Sequence, residues 1–275
     1  MRIYGISHPF HPVPELPEVE MARDIAHRNL LNSKVLQVEV LDPRMLKGIT
    51  PDALARKLRN QKAVGTGRRG KNLFVCFNQG ALYIHLGMSG SISFIEDTDW
   101  HSSHERLRIT VDRGVMILDD PRRFGRFGWG RSMEHLISEN ALGPDALTVS
   151  DEEFCSRLQG RRGSIKPLLL DQSVVAGVGN LYADEALFQE MLHPGTKART
   201  LSRTEMAKLG KRIRKVLETS IAVRTEFSKL PDGFLLRDRR ERAPCPRCGV
   251  GLETLRIGGR TTIICPRCQS PRTEC

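Results

Sequence analysis

From Pro17 onward the apolar positions recur at helical spacing, with Val19, Ala22, Ile25, Ala26 and Leu30 on one face. Pro17 gives up no hydrogen bond in a first helical turn, and Glu18 and Glu20 fall at the positive end of the helix dipole. The pattern therefore predicts a helix beginning near Pro17. It then changes to short runs of strand character at residues 35–40, 73–77, 81–85, 107–111 and 115–118, the last two flanking a turn near Asp112-Arg113-Gly114. Such runs predict a β-sandwich ending near residue 133. Helical spacing returns from about residue 151, with candidate helices at 151–158, 165–171, 180–189 and 203–224, punctuated by Gly177, Gly179 and Pro194. No internal repeat or low-complexity tract interrupts the series. The fold class predicted is α+β.

The last segment carries the most specific local pattern. Cys245-Pro-Arg-Cys248, a gap of sixteen residues, and Cys265-Pro-Arg-Cys268 have the spacing of a four-thiolate zinc site. Between the pairs, residues 255–257 and 260–264 flank Gly258-Gly259, which reads as a β-hairpin with a tight turn. Four protein thiolates leave a zinc ion no open position, so one structural Zn2+ is expected. A redox-active dithiol pair is the competing reading. Arg260 projects from the tip of this hairpin, either as a solvated turn residue or as a ligand for phosphate.

Composition narrows the choice of partner. The 43 Lys+Arg outnumber the 32 Asp+Glu, for a formal charge of +11, which favours a polyanion through counterion release, although a solvated basic surface has the same arithmetic. Aromatic residues make up only 5%, which argues against a platform that stacks single-stranded bases. No apolar run approaches the ~18 residues of a membrane span, and the first thirteen residues lack the apolar core of a secretory signal. An odd cysteine count, seven, with Cys76, Cys155 and Cys275 outside the two pairs, suits a reducing compartment.

Pro14-Glu15-Leu16-Pro17-Glu18-Val19-Glu20 resembles the opening of bacterial formamidopyrimidine-DNA glycosylases, and further motifs follow in that family's order. Arg68-Arg69-Gly70-Lys71 looks like its lysine loop. His85-Leu86-Gly87-Met88-Ser89-Gly90 and Asp120-Pro121-Arg122-Arg123-Phe124-Gly125 look like its two DNA-probing loops. Residues 175–183, containing Gly177-Val178-Gly179-Asn180, look like its helix–two-turns–helix motif, and Gly258 to Thr262 look like its zinc finger. The resemblance implies a β-sandwich with an N-terminal helix, a helix–two-turns–helix domain and a zinc-finger hairpin. On that scheme residues 1–13 are an extension, 14–133 the catalytic domain, 134–150 a linker, 151–242 the helical DNA-binding domain and 243–270 the finger.

The resemblance also implies a chemistry: excision of an oxidised base, 8-oxoguanine or a formamidopyrimidine, followed by strand cleavage. A damaged base must be flipped out of the duplex, and the gap must be filled by wedges and an arginine. Met88, Arg122 and Phe124 match the family's void-filling trio, with Arg123 beside them; taken alone, Met88 reads equally as a core residue. Asn180 and Arg260 are implied as ligands of the phosphates around the lesion, with Arg161 near a further basic contact. The glycines before Asn180 let backbone approach phosphate at a helix N-terminus, though an ordinary cap at Asn180 accounts for the same residues. A free α-amine, with a pKa of about 7.7–8.0 against about 10.4 for lysine, is partly unprotonated at neutral pH. The family's nucleophile is such an amine, on the N-terminal proline; here that is Pro14. Glu15 is implied as general acid/base, Lys71 in proton transfer during elimination and Arg260 in the final δ step. Glu18 and Glu185 match further acidic positions, or are carboxylates on helix surfaces.

Three features depart from the family pattern. The stretch 224–244, where members often carry a long loop over the flipped base, is short and holds Arg237, Arg239, Arg240 and Arg242. Ser102 stands where some members have a DNA-contacting histidine, with His101 and His104 nearby. Oxidised pyrimidines, the substrates of the related endonuclease VIII branch, therefore stay open. Thirdly, Val13 acylates Pro14, and an amide nitrogen cannot attack a sugar. A valine codon of the GUG type serves as a bacterial start, so Met1 to Pro12 is expected to be an over-long reading of the frame or an added extension. Retained, it would leave a non-catalytic binder of damaged DNA. A zinc-ribbon module for RNA or protein is a third reading, but it leaves Met88, Arg122 and Phe124 unexplained. The expected partner is double-stranded DNA with oxidised bases or abasic sites, bound by a monomer in the bacterial cytoplasm, with no membrane involved.

Overall fold

The computed structural model describes residues 3–5 and 13–271, and of residues 3–5 only the backbone. The rest of the expected extension, and Cys275, lie outside the described residues. Two units are formed, one up to Ala141 and the other from Leu142.

In the first unit β1 (Ile3–Gly5) is followed by α1 (Leu16–Leu30), β2 (Val35–Val40), β3 (Leu46–Lys47), α2 (Pro51–Leu58), β4 (Ala63–Arg69), β5 (Asn72–Phe77) and β6 (Gly80–His85). Then come β7 (Ser91–Ile95), β8 (Glu105–Val111), β9 (Gly114–Asp119), β10 (Arg126–Gly130) and α3 (Met133–Glu139). They make two five-stranded sheets, ordered β1-β7-β9-β8-β2 and β3-β10-β6-β5-β4. Alternation decides what each strand buries. On β8, Leu107, Ile109 and Val111 enter the main core, where they join Leu73, Val75, Leu82 and Ile84 of the other sheet. On β9, Met116 and Leu118 face that core, while Val115 and Ile117 pack with Ile95 and Trp100 on the opposite face. Helix α1 adds Val19, Ala22, Ile25, Ala26 and Leu30, the face its spacing predicted. The expected sandwich and N-terminal helix are therefore present.

Two of the strands outside the runs that periodicity named are built on glycine. Strands β4 (AVGTGRR) and β10 (RFGWG) carry little alternation. Their glycines make room for α3: a Cβ on Gly67 would stand 2.3 Å from Met133 Sδ, and one on Gly130 would stand 2.5 Å from Leu136 Cγ. Residues that lower strand propensity thus admit a helix against the sheet. Part of the stretch read as linker, 134–150, is that helix. Helix α2 did have a signal, since Thr50 caps it by accepting from Ala53 N and Pro51 opens its first turn.

The second unit contains α4 (Asp151–Leu158), α5 (Ile165–Leu170), α6 (Asn180–Gln189), α7 (Arg203–Ala222) and the hairpin β11 (Glu253–Ile257) and β12 (Arg260–Ile264). Amphipathic α7 is capped by a Ser202–Glu205 box and buries Met206, Leu209, Ile213, Val216 and Leu217 against α4 and α6. Helix α6 differs, for Tyr182 through Phe188 are all buried, including Asp184 and Glu185. A helix enclosed on every side must find partners for its charged residues. Asp184, with no exposed surface, lies 2.6 Å from the equally buried Lys166 Nζ of α5. Its other carboxylate oxygen accepts from Arg239 Nε at 3.0 Å and from Ile263 N at 3.1 Å. Lys166 Nζ also donates to Thr262 Oγ1 at 2.7 Å and Thr261 O at 3.3 Å. One carboxylate thus joins two helices, the arginine-rich segment and the finger hairpin. Glu185 accepts from Leu236 N at 2.8 Å and from Gln189 Nε2 at 2.7 Å, and burial pushes its carboxyl above the usual range. The reading of Glu185 as a helix-surface carboxylate does not hold, and neither does that of Glu18, which is 4% exposed.

Removing one member of a buried charged cluster leaves the others uncompensated, at a cost of about 3–5 kcal/mol. Asp184→Ala is expected to lose that much in urea-unfolding free energy. Lys211→Ala, whose side chain is 68% exposed beside Asp151, is expected to lose less than about 1 kcal/mol. Equal losses in the two variants would show that the cluster does not hold this unit together.

Candidate nucleic-acid interface and metal centre

Each unit gathers its own set of the sequence-predicted residues. In the first, the start of α1 is enclosed: Pro14 is buried, and Glu15 and Glu18 are 2% and 4% exposed. Glu15 and Glu18 form a reciprocal capping box, in which Glu15 N donates to Glu18 Oε2 at 2.9 Å. The box fixes where the chain enters the helix and so fixes Pro14 one residue before the Glu15 cap. The β4–β5 turn is held to the same helix. Arg68 Nε donates to Glu20 Oε2 and its guanidinium reaches Gly70 O, both bonds spanning 2.8–2.9 Å. Gly70, at φ +58°, makes the turn that presents half-buried Lys71.

His85, at the end of β6, is a residue that sequence reasoning quoted but did not single out. It pairs across the sheet with Asn72, next to Lys71, and with Arg126. Burial, then the cations Lys71 and Arg126, hold its imidazole below the ordinary histidine range. Its Nδ1 accepts from Gly87 N at 3.0 Å, so the neutral ring carries its proton on Nε2 and keeps that N–H as a donor. The signal available was its place at the head of the Met88 loop.

Met88 and Phe124, 39% and 47% exposed, are among the few large apolar side chains given to solvent, which sets aside the reading of Met88 as core. The Arg122 guanidinium lies over the Phe124 ring, 4.8 Å from its centroid. Arg123, at φ +59°, turns away and pairs with Asp42 at 3.4 Å, where Asp42 also binds Arg44. The first unit therefore brings Met88, Arg122 and Phe124 to one exposed apolar and cationic prominence.

In the second unit, Gly177 (φ +116°) and Gly179 lead into α6, and Gly179 rather than Asn180 is the cap residue. Asn180 is the first residue of the helix, and its Nδ2 donates to Thr261 O at 3.0 Å. This bond joins the helix N-terminus to the hairpin residue that follows Arg260. Gly258 and Gly259, at φ +57° and +74°, make the two-residue turn, and a Cβ on Gly258 would stand 2.7 Å from Pro167 Cγ. The turn therefore seats on α5, leaving Arg260 exposed beside Asn180. Arg161 is exposed at the end of α4; its Nε donates to Arg157 O, and its charge helps lower the carboxyl of Asp171, which is held down chiefly by hydrogen bonds from Ser173. Among the described residues no hydrogen bond or ion pair joins it to Asn180 or Arg260.

The four sulfurs of Cys245, Cys248, Cys265 and Cys268 lie within 4.8 Å of one another, with 4.0 Å from Cys245 to Cys268 and 3.5 Å from Cys248 to Cys265. Zinc–sulfur bonds of about 2.3 Å in a tetrahedron require sulfurs about 3.8 Å apart, so the set fits one Zn2+. The site is fixed by Gln269, which accepts from Cys265 N and donates to Leu192 O, and by Arg247, stacked 4.9 Å from the Phe188 centroid.

Comparison with known proteins places these residues in a family. The formamidopyrimidine-DNA glycosylase N-terminal domain matches residues 13–127, the H2TH domain of the same glycosylases matches 142–231, and a zinc finger found in FPG and IleRS matches 243–271. The formamidopyrimidine-DNA glycosylase of Geobacter metallireducens is 36% identical over 271 residues, covering 94% of this chain and 100% of that protein. Among solved structures, the Lactococcus lactis enzyme bound non-covalently to DNA with an abasic site superposes with a TM-score of 0.85 at 26% identity, again covering 94% and 100% of the two chains. MutM in complex with DNA containing carbocyclic 8-oxo-G gives 0.84 at 27% identity over the same shares.

The geometry of the four sulfurs generates one measurable outcome. The purified chain is expected to hold about one zinc, released as a thiol-specific mercurial titrates the cluster, and Cys265→Ser should lose the metal together with the order of the hairpin. A fully reduced chain that carries no zinc, with hairpin amides protected from exchange, would overturn the assignment.

Proposed function

The chain belongs to the formamidopyrimidine-DNA glycosylase family, and on that footing we propose that it removes oxidised bases from duplex DNA and cuts the strand at the abasic site left behind. The observation that carries this reading is where the match begins. The match to the family's N-terminal domain starts at Val13, one residue before Pro14, and the matches to the H2TH domain and the zinc finger follow it in order. The proposed substrates are 8-oxoguanine and formamidopyrimidines. A second range, oxidised pyrimidines, is favoured by the Lactococcus lactis relative, which was solved with such DNA and matches with a TM-score of 0.83.

Pro14 is the proposed nucleophile. With Val13 removed its nitrogen is a secondary amine, which adds to C1′ as the glycosidic bond breaks and the base departs with a proton. The C1′–O4′ bond then opens, O4′ taking a proton, and the iminium so formed acidifies C2′. Loss of that proton expels the 3′ phosphate by β-elimination, and δ-elimination then expels the 5′ phosphate. Glu15, buried next to the nucleophile, is assigned the protons at the sugar. Lys71 is assigned proton transfer in elimination, and Arg260 the δ step together with Asn180 as a phosphate ligand. Met88, Arg122 and Phe124 are assigned to the gap left by the flipped nucleotide, with Arg123 and Arg161 as lesser backbone contacts. Zinc takes no chemical part and supplies the rigid hairpin that carries Arg260. Such a substrate places the protein with the chromosome, in the bacterial cytoplasm. No helix among the described residues is long and apolar enough to cross a membrane.

The test is trapping with borohydride on duplexes bearing 8-oxoguanine, an oxidised pyrimidine or an abasic site. Protein beginning at Pro14 is expected to form a covalent adduct and to cut on both sides of the site. The chain with Val13 retained is expected to bind the abasic duplex without trapping. A Pro14-initiated protein that is folded and zinc-loaded yet yields no adduct would sink the assignment, and tight binding without reaction would favour the non-catalytic reading.

A further inference from the structure

Asp120 has no exposed surface, no arginine or lysine forms an ion pair with it among the described residues, and none of the proposed chemistry uses it. What it does instead is tie two loops together. One carboxylate oxygen accepts from Ser89 Oγ at 2.5 Å and from Arg122 N at 3.3 Å, and the other accepts from Gly125 N at 2.8 Å. Ser89 Oγ in turn accepts from Arg122 N at 3.2 Å. The carboxylate's own backbone is fixed from below, where Asp120 N donates to His104 O and Asp120 O accepts from Arg106 Nε. Ser89 directly follows Met88, and Gly125 directly follows Phe124, so the two anchors lie one residue beyond the two exposed apolar side chains.

Backbone packing adds to the tie. Gly87, at φ +66°, lies so close to the other loop that a Cβ would stand 2.4 Å from Phe124 C and from Gly125 N. A Cβ on Gly125 would stand 2.9 Å from His85 O. Two exposed loops would each lose conformational freedom if they had to be ordered separately on a ligand. Joined through a buried carboxylate they are ordered together when the protein folds, and the cost at binding falls.

We propose that Asp120, acting through Ser89, is a positioning residue that makes the Met88 loop and the Arg122–Phe124 loop one rigid wedge, so that the residues filling the gap in the duplex enter and leave as a unit. This rests on the proposed function, in which those three side chains hold open a duplex whose damaged nucleotide has been flipped out. A wedge is needed only where a base pair must be parted. An abasic site in a single strand already presents its sugar and requires none.

Protein beginning at Pro14 and its Ser89→Ala variant are compared in single-turnover cleavage of a duplex with 8-oxoguanine and of a single-stranded abasic oligonucleotide. 2-Aminopurine beside the lesion reports opening of the helix. Ser89→Ala is expected to slow lesion-duplex cleavage and the fluorescence rise together, roughly ten- to hundredfold, as for loss of a hydrogen bond to a charged group, with single-strand cleavage unchanged. Combined with Met88→Ala it should lose no more than Met88→Ala alone, because both act on one wedge. Asp120→Asn, which keeps the shape of the side chain, should show the same split between substrates if it folds, and Ser89→Ala carries the test if it does not. Equal slowing on both substrates, or losses that add to those of Met88→Ala, would overturn the proposal. So would a Ser89→Ala protein that opens the duplex as fast as the parent. If the parent itself fails to trap on the lesion and abasic duplexes, the proposed function falls; if the parent traps and the variants match it, only the wedge does.

Discussion

A carboxylate enclosed on every side has to be neutralised, and the second unit is arranged around that requirement. Asp184 lies on a helix whose whole circumference is buried, and it draws Lys166 from α5, Arg239 from the arginine-rich segment and the backbone of Ile263 from the finger. Each partner comes from a different stretch of chain. The ammonium of Lys166 is itself surrounded by acceptors, so neither charge is left to pay the full penalty of burial. Thr261 O receives both Lys166 and the side chain of Asn180. Asn180 and Arg260, the proposed phosphate ligands, thus owe their adjacency to a charge cluster neither belongs to. The zinc site makes the hairpin rigid, and the cluster decides where the rigid hairpin sits.

The first unit solves a comparable problem with neutral donors. Asp120 is matched by a hydroxyl and two backbone N–H groups, and its neighbours are two loops rather than two helices. In both units an acidic side chain without solvent organises exposed groups of opposite character, cationic in one case and apolar plus cationic in the other. Exposed Met88 and Phe124 are unfavourable in water, and an arrangement that holds them out must be maintained by something buried. The glycines at 87 and 125 let the backbones come close enough for a single carboxylate to serve both loops.

Much of this was legible from one dimension. The helices at 151–158 and 180–189 run over the predicted residues, the first capped by Ser150 and the second following the Gly179 cap with Tyr182 to Phe188 all buried. The cysteine spacing predicted the four-sulfur cluster, because a Cys-x-x-Cys turn constrains its own geometry, and the runs flanking Gly258-Gly259 predicted the hairpin. Strands β4 and β10 and helix α3 were not legible, as their glycines register only as weak strand formers until the helix that needs the space is seen. Asp184 and Lys166 left a faint signal, each a charge inside an apolar run. Glu18 and Glu185 were open between surface and site, and burial removed the surface alternative.

By itself the sequence determined which chemical groups this protein possesses and in what order: a proline–glutamate pair ahead of a helix, a lysine turn, a glycine-rich methionine loop, an arginine–phenylalanine loop, a glycine-led helix start and two Cys-x-x-Cys pairs. Local rules fix such features, because caps, turns and metal knuckles involve residues a few positions apart. Tertiary structure alone decided which of those groups stand together. Asn180 meets Thr261 across eighty-one positions, and Ser89 meets Asp120 across thirty-one. Pairings at that range follow from burying charges in a close-packed interior, where a carboxylate accepts only the partners the surrounding helices and strands bring to it.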